Sequence, residues 1–323
     1  MTIPPEAVIL LSSPPTAFVR EEITSLQTQI INPWTSDNPE TIIASAASRV
    51  RAIINCSSRV NIDTDYMNRF PNLSLISNHG VGYDNIDAVE AARRGIIVTN
   101  TPDVLTEDVA DLAMALLLAT VRLIPQADQF VRQERWLKAP FPLSGSLQGR
   151  TMGIVGLGRI GHAVAFRAKA FGLHITYHGR HRQAKVDYSY HPDLLTMAKD
   201  CDTLMVTAPA TDATRHMINE SILKALGPAG VIINVSRGSL IDQDALISAL
   251  SSGTIFAAGL DVYEDEPNVP KALIDLDNTV LLPHIGSATL PTRKAMARLV
   301  VDNVEAWLSG HSPLTPVPEC LGL

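Results

Sequence analysis

Hydrophobic positions along the chain fall into short, uninterrupted apolar runs separated by stretches in which apolar residues return every three or four positions. The first runs are Ala7-Val-Ile-Leu-Leu11, Ala52-Ile-Ile-Asn55, Leu73-Ser-Leu-Ile-Ser77 and Ile96-Ile-Val-Thr99. An apolar run without alternation reads as a strand covered on both faces, the condition of a parallel sheet. Val109, Leu112, Ala113, Leu116 and Leu117 then repeat at helical spacing, which predicts a long, mostly buried helix over Val104 to Ile124, ended by Pro125. After Gly149 the strand rhythm resumes with Thr151–Val155, His174–Tyr177, Thr203–Val206, Val231–Val235, Ala257–Asp261 and Val280–Leu282. Six strands with intervening helices are the count of a complete doubly wound sheet. A last helix, over Leu290 to Leu308, follows the sixth strand and is assigned to the first domain. The expected fold class is therefore α/β, with two doubly wound parallel-sheet domains. One is discontinuous, 1–101 with 289–323, and the other spans 102–288. The proline-bearing tail from Ser312 reads as irregular.

The turn after Val155 narrows the second domain's task. Gly156-Leu157-Gly158-Arg159-Ile160-Gly161 lies between a predicted strand and a predicted helix, the context in which a GxGxxG pattern becomes a dinucleotide fingerprint. The first glycine allows the tight turn, the second lets backbone approach a pyrophosphate, and the helix N-terminus supplies oriented amides. An NAD site usually adds Asp or Glu about 20 residues on, to bond the ribose 2′-hydroxyl. Here the second strand runs into Tyr177-His-Gly179-Arg180-His-Arg182, and no acid occurs from Leu157 to Val186. Arg180 and Arg182 suit a 2′-phosphate, which predicts NADP(H).

Composition and charge exclude other classes. With 46% hydrophobic and 18% charged residues, the 323-residue chain can bury a full core, so disorder is excluded. Its formal net charge of −7, without a long basic block, argues against nucleic acid. Cys56, Cys201 and Cys320 are odd in number and far apart, so neither a disulfide framework nor a metal site is indicated. The N-terminus, from Met1 to Glu6, has no basic region, and its apolar run is too short to span a bilayer. A cytoplasmic protein without a membrane anchor is expected.

Three residues capable of chemistry stand just beyond predicted strands of the second domain. Arg237 follows Asn234-Val-Ser236, Glu266 follows Asp261-Val-Tyr-Glu-Asp265, and His284 follows Leu281-Leu-Pro283. In a doubly wound sheet those carboxyl ends form the ligand crevice, so topology predicts that the three converge.

The chain also resembles the D-isomer-specific 2-hydroxyacid dehydrogenase family. The resemblance is carried by Gly80-Val-Gly82-Tyr-Asp-Asn-Ile-Asp87, the Gly156–Gly161 turn, Asn234-Val-Ser-Arg-Gly-Ser-Leu-Ile-Asp242, Gly259-Leu-Asp-Val-Tyr-Glu-Asp-Glu-Pro267 and Pro283-His-Ile-Gly-Ser287. It implies a homodimer whose flavodoxin-like substrate domain and Rossmann nucleotide domain flank a cleft, and a catalytic set of Arg237, Glu266 and His284. Hydride delivery to C2 of a 2-oxo acid leaves an alkoxide, so an acid must protonate the oxygen while a cation holds the carboxylate. On that reading His284 is the acid, Arg237 the clamp, and Glu266 orients the imidazole. The resemblance further places Val81 and Gly82 on the substrate, and Ser236, Arg237, Asp261, His284 and Gly286 beside the cofactor with the glycine turn and Gly179. His79 reads as a packing residue. Trp136 is similar in placement to an aromatic that reaches a neighbouring active site.

Within the family, formate dehydrogenases carry Gln at the position of Glu266, and phosphoglycerate dehydrogenases have an acid after the second strand. The basic loop is instead similar to the NADP-type glyoxylate/hydroxypyruvate reductases and 2-ketogluconate reductases. The expected activity is NADPH-dependent reduction of glyoxylate or hydroxypyruvate to a D-2-hydroxy acid, with 2-ketogluconate as the alternative substrate. A nucleotide-sensing, corepressor-like binding protein is the alternative of another class.

Overall fold

The uninterrupted apolar runs form parallel strands with both faces covered. A computed structural model describes residues 8–323, so Ala7 and the N-terminal residues read above lie outside the described residues. The chain divides into two compact units, Met1–Leu105 with Thr289–Leu323, and Thr106–Ala288. The first break falls after Leu105, where Thr106 opens a helix. The second falls at Thr289, whose hydroxyl caps the last helix by accepting the Thr292 amide.

The first unit holds β1 (Val8–Leu11), β2 (Gln29–Ile31), β3 (Val50–Asn55), β4 (Leu75–Asn78) and β5 (Ile97–Thr99). All pair in parallel, in the order β2-β1-β3-β4-β5, the flavodoxin-like winding. Sequence patterning missed β2, a three-residue edge strand without a fully buried position. Helix Leu290–Leu308 joins this sheet because Ala297, Val300, Val301, Val304 and Trp307 share a core with Ile9, Leu11, Ile54 and Leu75. The tail is less irregular than expected. Val317 donates its amide to Val98 O at 2.9 Å, and Pro318–Cys320 form a 3₁₀ turn.

The second unit holds β6 (Thr151–Val155), β7 (His174–His178), β8 (Ser189–His191), β9 (Thr203–Val206), β10 (Val231–Asn234), β11 (Ala257–Leu260) and β12 (Thr279–Leu281). They too are all parallel, in the order β12-β11-β10-β9-β6-β7-β8. The expected set of six strands is therefore corrected to seven. Ser189–His191 is the third strand of the doubly wound pattern, and Thr279–Leu281 extends the sheet beyond the sixth. The missed strand is an edge with no apolar run to betray it.

The single helix expected over Val104 to Ile124 is also corrected. Two helices are present, Thr106–Val121 and Ile124–Arg132. Leu123, at φ 55°, turns the chain between them, and Pro125 stands in the first turn of the second helix. A missing N–H costs nothing there, so this proline starts a helix rather than ending one.

Candidate active site

At the carboxyl end of β6 the chain turns at Gly156, whose φ of +95° is the left-handed region that favours glycine. A Cβ there would run into the Ala208 backbone. Helix Arg159–Ala170 starts immediately after, capped by Gly158, which offers no side-chain acceptor. A Cβ on Gly158 would meet nothing within 4 Å. The first turn of a 12-residue helix thus presents amides toward an open side, an arrangement that fits a pyrophosphate. Leu157 is buried under the turn, Ile160 half-buried and Arg159 exposed.

The second half of the fingerprint follows β7. Arg180 and Arg182 are exposed on the loop beginning at Gly179, and neither is engaged by a carboxylate among the described residues. Two free guanidiniums with no competing acid fit the 2′-phosphate of NADP(H).

The three predicted reactive residues stand beyond β10, β11 and β12. Nδ1 of His284 lies 2.7 Å from Glu266 Oε2. The other Glu266 oxygen accepts the Tyr263 amide at 3.1 Å, so both oxygens of the carboxylate are fixed. Burial pushes the Glu266 carboxyl up, but the hydrogen bond and charge of His284, the Tyr263 amide and the Arg237 charge outweigh it. The result lies below the ordinary value of 4.5. Arg237 is thus close enough to act on the same carboxylate. Its turn is shaped by Asn234, whose Nδ2 donates to Arg237 O at 2.8 Å and whose Oδ1 accepts the Ser236 amide at 3.0 Å. The Ser236 hydroxyl donates to Ala208 O.

His284 has φ 56°, a conformation that β-carbon-bearing residues adopt at a cost of order 1–3 kcal/mol. Asp261 holds it there: Oδ1 accepts the Ile285 amide at 2.7 Å, and Oδ2 accepts the Gly286 amide at 2.8 Å. Burial raises the Asp261 pKa against these two bonds and the His284 charge. Asp261, expected from the sequence beside the cofactor, stands here on the turn that presents the imidazole. The geometry can deliver a proton from His284 Nε2, with its other ring nitrogen held by a carboxylate.

Within the first unit, the loop after β4 is held by two asparagine side chains. Asn78 Nδ2 donates to Gly80 O at 3.3 Å and Gly82 O at 3.0 Å, and Asn100 Nδ2 donates to Val81 O at 2.9 Å. With these carbonyls bonded to Asn78 and Asn100, the Val81 and Gly82 amides meet no acceptor among the described residues. Unpaired adjacent amides bind carboxylates and phosphates.

His79, just before that loop, has its Nε2 buried without a partner. Burial, and then the positive charge of Arg293, lowers its pKa from 6.5 to about 4. It is therefore a neutral packing residue near pH 7. Between those values the unfolded chain binds more protons, so stability is full above pH 6.5 and declines as pH falls toward 4. At pH 5 the loss should be about 2 kcal/mol. Urea midpoints at pH 7 and pH 5 test this, because His79→Gln should shrink the difference. An unchanged pH response in the variant would show that His79 protonates freely in the folded protein.

Three features escaped sequence reasoning. Glu264 Oε1 takes His216 Nε2 at 2.8 Å and Arg215 Nη2 at 3.1 Å, tying the loop after β9 to the loop that carries Glu266. Gly238 packs flat on the Tyr263 peptide, so that a Cβ would overlap the Tyr263 carbonyl and the Glu264 nitrogen. Gln183 bridges the loop after β7 and the glycine turn after β6. No local pattern marks any of them, since each partner lies 20 or more residues away in sequence. Trp136, by contrast, lies in the 3₁₀ turn Arg135–Leu137 and is 69% exposed, so it is no anchor of this chain's own core.

Residues 114–286 match the family described as D-isomer specific 2-hydroxyacid dehydrogenase, NAD binding domain. The chain is 42% identical over 309 residues to glyoxylate/hydroxypyruvate reductase A of Arabidopsis thaliana, covering 96% of this chain and 98% of that one. It is also 42% identical over 309 residues to hydroxyphenylpyruvate reductase of Plectranthus scutellarioides, with the same coverage. Among solved structures, it is similar to the NADPH-dependent glyoxylate/hydroxypyruvate reductase of Sinorhizobium meliloti in complex with NADP and malonate. The identity is 47%, 98% of each chain is covered, and the TM-score is 0.89.

Proposed function

Since the chain belongs to the D-isomer-specific 2-hydroxyacid dehydrogenase family, we propose that it reduces glyoxylate and hydroxypyruvate to D-2-hydroxy acids with NADPH. The observation that carries this reading is the 2.7 Å pair of Glu266 and His284, on the strand-end side of a sheet whose first turn suits a pyrophosphate. The similarity to glyoxylate/hydroxypyruvate reductases of Arabidopsis thaliana and Sinorhizobium meliloti supports the substrate class.

In this reading the glycine turn from Gly156 to Gly161 holds the pyrophosphate, and Gly179, Arg180 and Arg182 receive the 2′-phosphate. Ser236, Asp261 and Gly286 belong to the turns beside the nicotinamide. When bound, NADPH supplies the hydride that reduces C2 of the 2-oxo acid. His284 gives a proton from Nε2 to the oxygen that becomes the alkoxide, while Glu266 fixes the ring through Nδ1. Arg237 holds the substrate carboxylate and draws charge from the carbonyl. In the first unit, the free amides of Val81 and Gly82 are of the kind that receives a carboxylate oxygen, and we assign them to the substrate. Each unit's role, one for substrate and one for dinucleotide, follows from these assignments.

We extend the proposal to a homodimer. Leu137 is 84% exposed and Leu143 99%, both following Trp136 on a segment that a second copy would cover. The three free cysteines support a reducing, cytoplasmic setting.

A second reading has one observation in its favour, the equal identity to a hydroxyphenylpyruvate reductase, which points to larger 2-oxo acids. Initial rates with hydroxypyruvate, glyoxylate, 4-hydroxyphenylpyruvate and 2-ketogluconate, each with NADPH and NADH, decide between them. The expected result is fastest oxidation of NADPH with hydroxypyruvate or glyoxylate. Preference for the aromatic or sugar acid would move the assignment, and cofactor binding without turnover would favour a sensing role.

A further inference from the structure

The basic loop that follows β7 is held on three sides. At its start, the Tyr190 hydroxyl donates to Gly179 O at 3.1 Å. At its end, the Gln183 amide donates to the Tyr177 hydroxyl at 2.8 Å, and the Tyr177 ring is buried. The two tyrosine rings pack with centroids 5.2 Å apart, so both ends of the loop rest on one aromatic pair.

The third hold is the Gln183 side chain. Its Nε2 donates to Leu157 O at 2.6 Å, inside the glycine turn, and its Oε1 lies 2.9 Å from His162 Nε2, in the first turn of the following helix. The amide orientation is fixed by these partners. A carbonyl such as that of Leu157 only accepts, so Nε2 of Gln183 must face it, and the imidazole must then carry hydrogen on Nε2. That hydrogen is present in both the cationic ring and this neutral tautomer. The bridge therefore survives either protonation state of His162.

From this geometry we infer that Gln183 is a positioning residue for cofactor discrimination: it latches the Arg180–Arg182 loop onto the glycine turn that takes the pyrophosphate. The inference rests on the NADP(H) reading and deepens it. Exposed arginines lose rotamer and loop freedom when they grip a phosphate, and each freedom lost beforehand is affinity gained. A loop tied to the pyrophosphate turn also fixes the distance between the two phosphate sites. That distance matters only to a ligand carrying both. Gln183 thus discriminates without touching the 2′-phosphate itself, and nothing in the local sequence marks it, because its partners lie 21 and 26 residues away.

The test is calorimetric binding of adenosine 2′,5′-bisphosphate and of 5′-AMP to the full chain, with no turnover required. Gln183→Met keeps the volume and removes the side-chain bonds. It should weaken the bisphosphate about five- to ten-fold, the effect of one or two lost hydrogen bonds, and change 5′-AMP less than two-fold. Gln183→Glu should act more strongly in the same direction, by setting a carboxylate against Leu157 O and beside the phosphate. Equal weakening of both ligands by Gln183→Met would overturn the inference, by showing that the side chain only supports the glycine turn. Unchanged binding of both would overturn it as well. The combined variant Arg180→Ala with Arg182→Ala separates this failure from that of the underlying reading. If it keeps the preference for the 2′-phosphate, the arginines do not read that group and both statements fall. If it loses the preference while Gln183→Met does not, only the latch falls.

Discussion

His284→Ala should lower turnover by about 10²–10⁴-fold, the usual worth of a general acid, while leaving NADPH affinity close to that of the parent. The separation is expected because the proposed phosphate contacts lie at the Gly156–Gly161 turn and the Arg180–Arg182 loop, whereas the Asp261 bonds to the Ile285 and Gly286 amides persist in the variant. Initial rates and cofactor titration give the two numbers independently. Near-normal turnover would remove His284 as the proton donor. The variant should also change its neighbour. Burial pushes the Glu266 carboxyl up, and the imidazole supplies two of the opposing influences, a hydrogen bond and a charge. Without them the carboxyl rises. In the parent, where it is depressed, the pair stabilises the fold above the ordinary carboxylate range and loses that contribution as pH falls through the lowered value. An acid titration of parent and variant should therefore differ in the carboxylate range, with the parent losing more stability as pH falls.

Gly238→Ala should be nearly as damaging, for a reason unconnected with proton transfer. The added methyl would overlap the Tyr263 carbonyl and the Glu264 nitrogen, which are backbone atoms with no rotamer to yield. Relief requires moving the Arg237 turn away from the segment that ends in Glu266. A displacement near 1 Å of a reacting group costs on the order of 10²-fold in rate, and overpacking adds roughly 1–3 kcal/mol of instability. The measurements are kcat/KM for the preferred 2-oxo acid and thermal unfolding of the same preparation. A variant with parental kcat/KM would show that the two turns are free to separate without consequence for the chemistry.

Legibility in the sequence followed burial. Strands such as Thr151–Val155 and Thr203–Val206 are central and covered on both faces, so their apolar runs reach to the observed ends. Gln29–Ile31 and Ser189–His191 are edges, half wet, and leave no run to read. Pro125 was misleading because a proline can follow the end of one helix or stand in the first turn of another, and only the left-handed turn at Leu123 decides which. At the candidate site, the positions of Arg237, Glu266 and His284 beyond successive strands were legible because topology dictates them. The supporting contacts were not. Asp261 on the Ile285 and Gly286 amides, Glu264 on His216, and Gln183 on Leu157 join loops that meet only after the sheet has formed.

The last helix, Leu290–Leu308, has a consequence for synthesis. Its residues Ala297, Val300, Val301 and Val304 complete a core whose earlier members, Ile9, Leu11, Val19, Ile54 and Leu75 among them, are translated before residue 76. Thr106–Ala288, one uninterrupted segment, is finished in between. A ribosome therefore exposes an apolar sheet face early and delivers its cover more than 180 residues later, after a self-contained unit has emerged. The unit translated first is the last able to close, and in that interval the part of its face that Val19, Ile23 and Leu26 leave uncovered is open to chaperones.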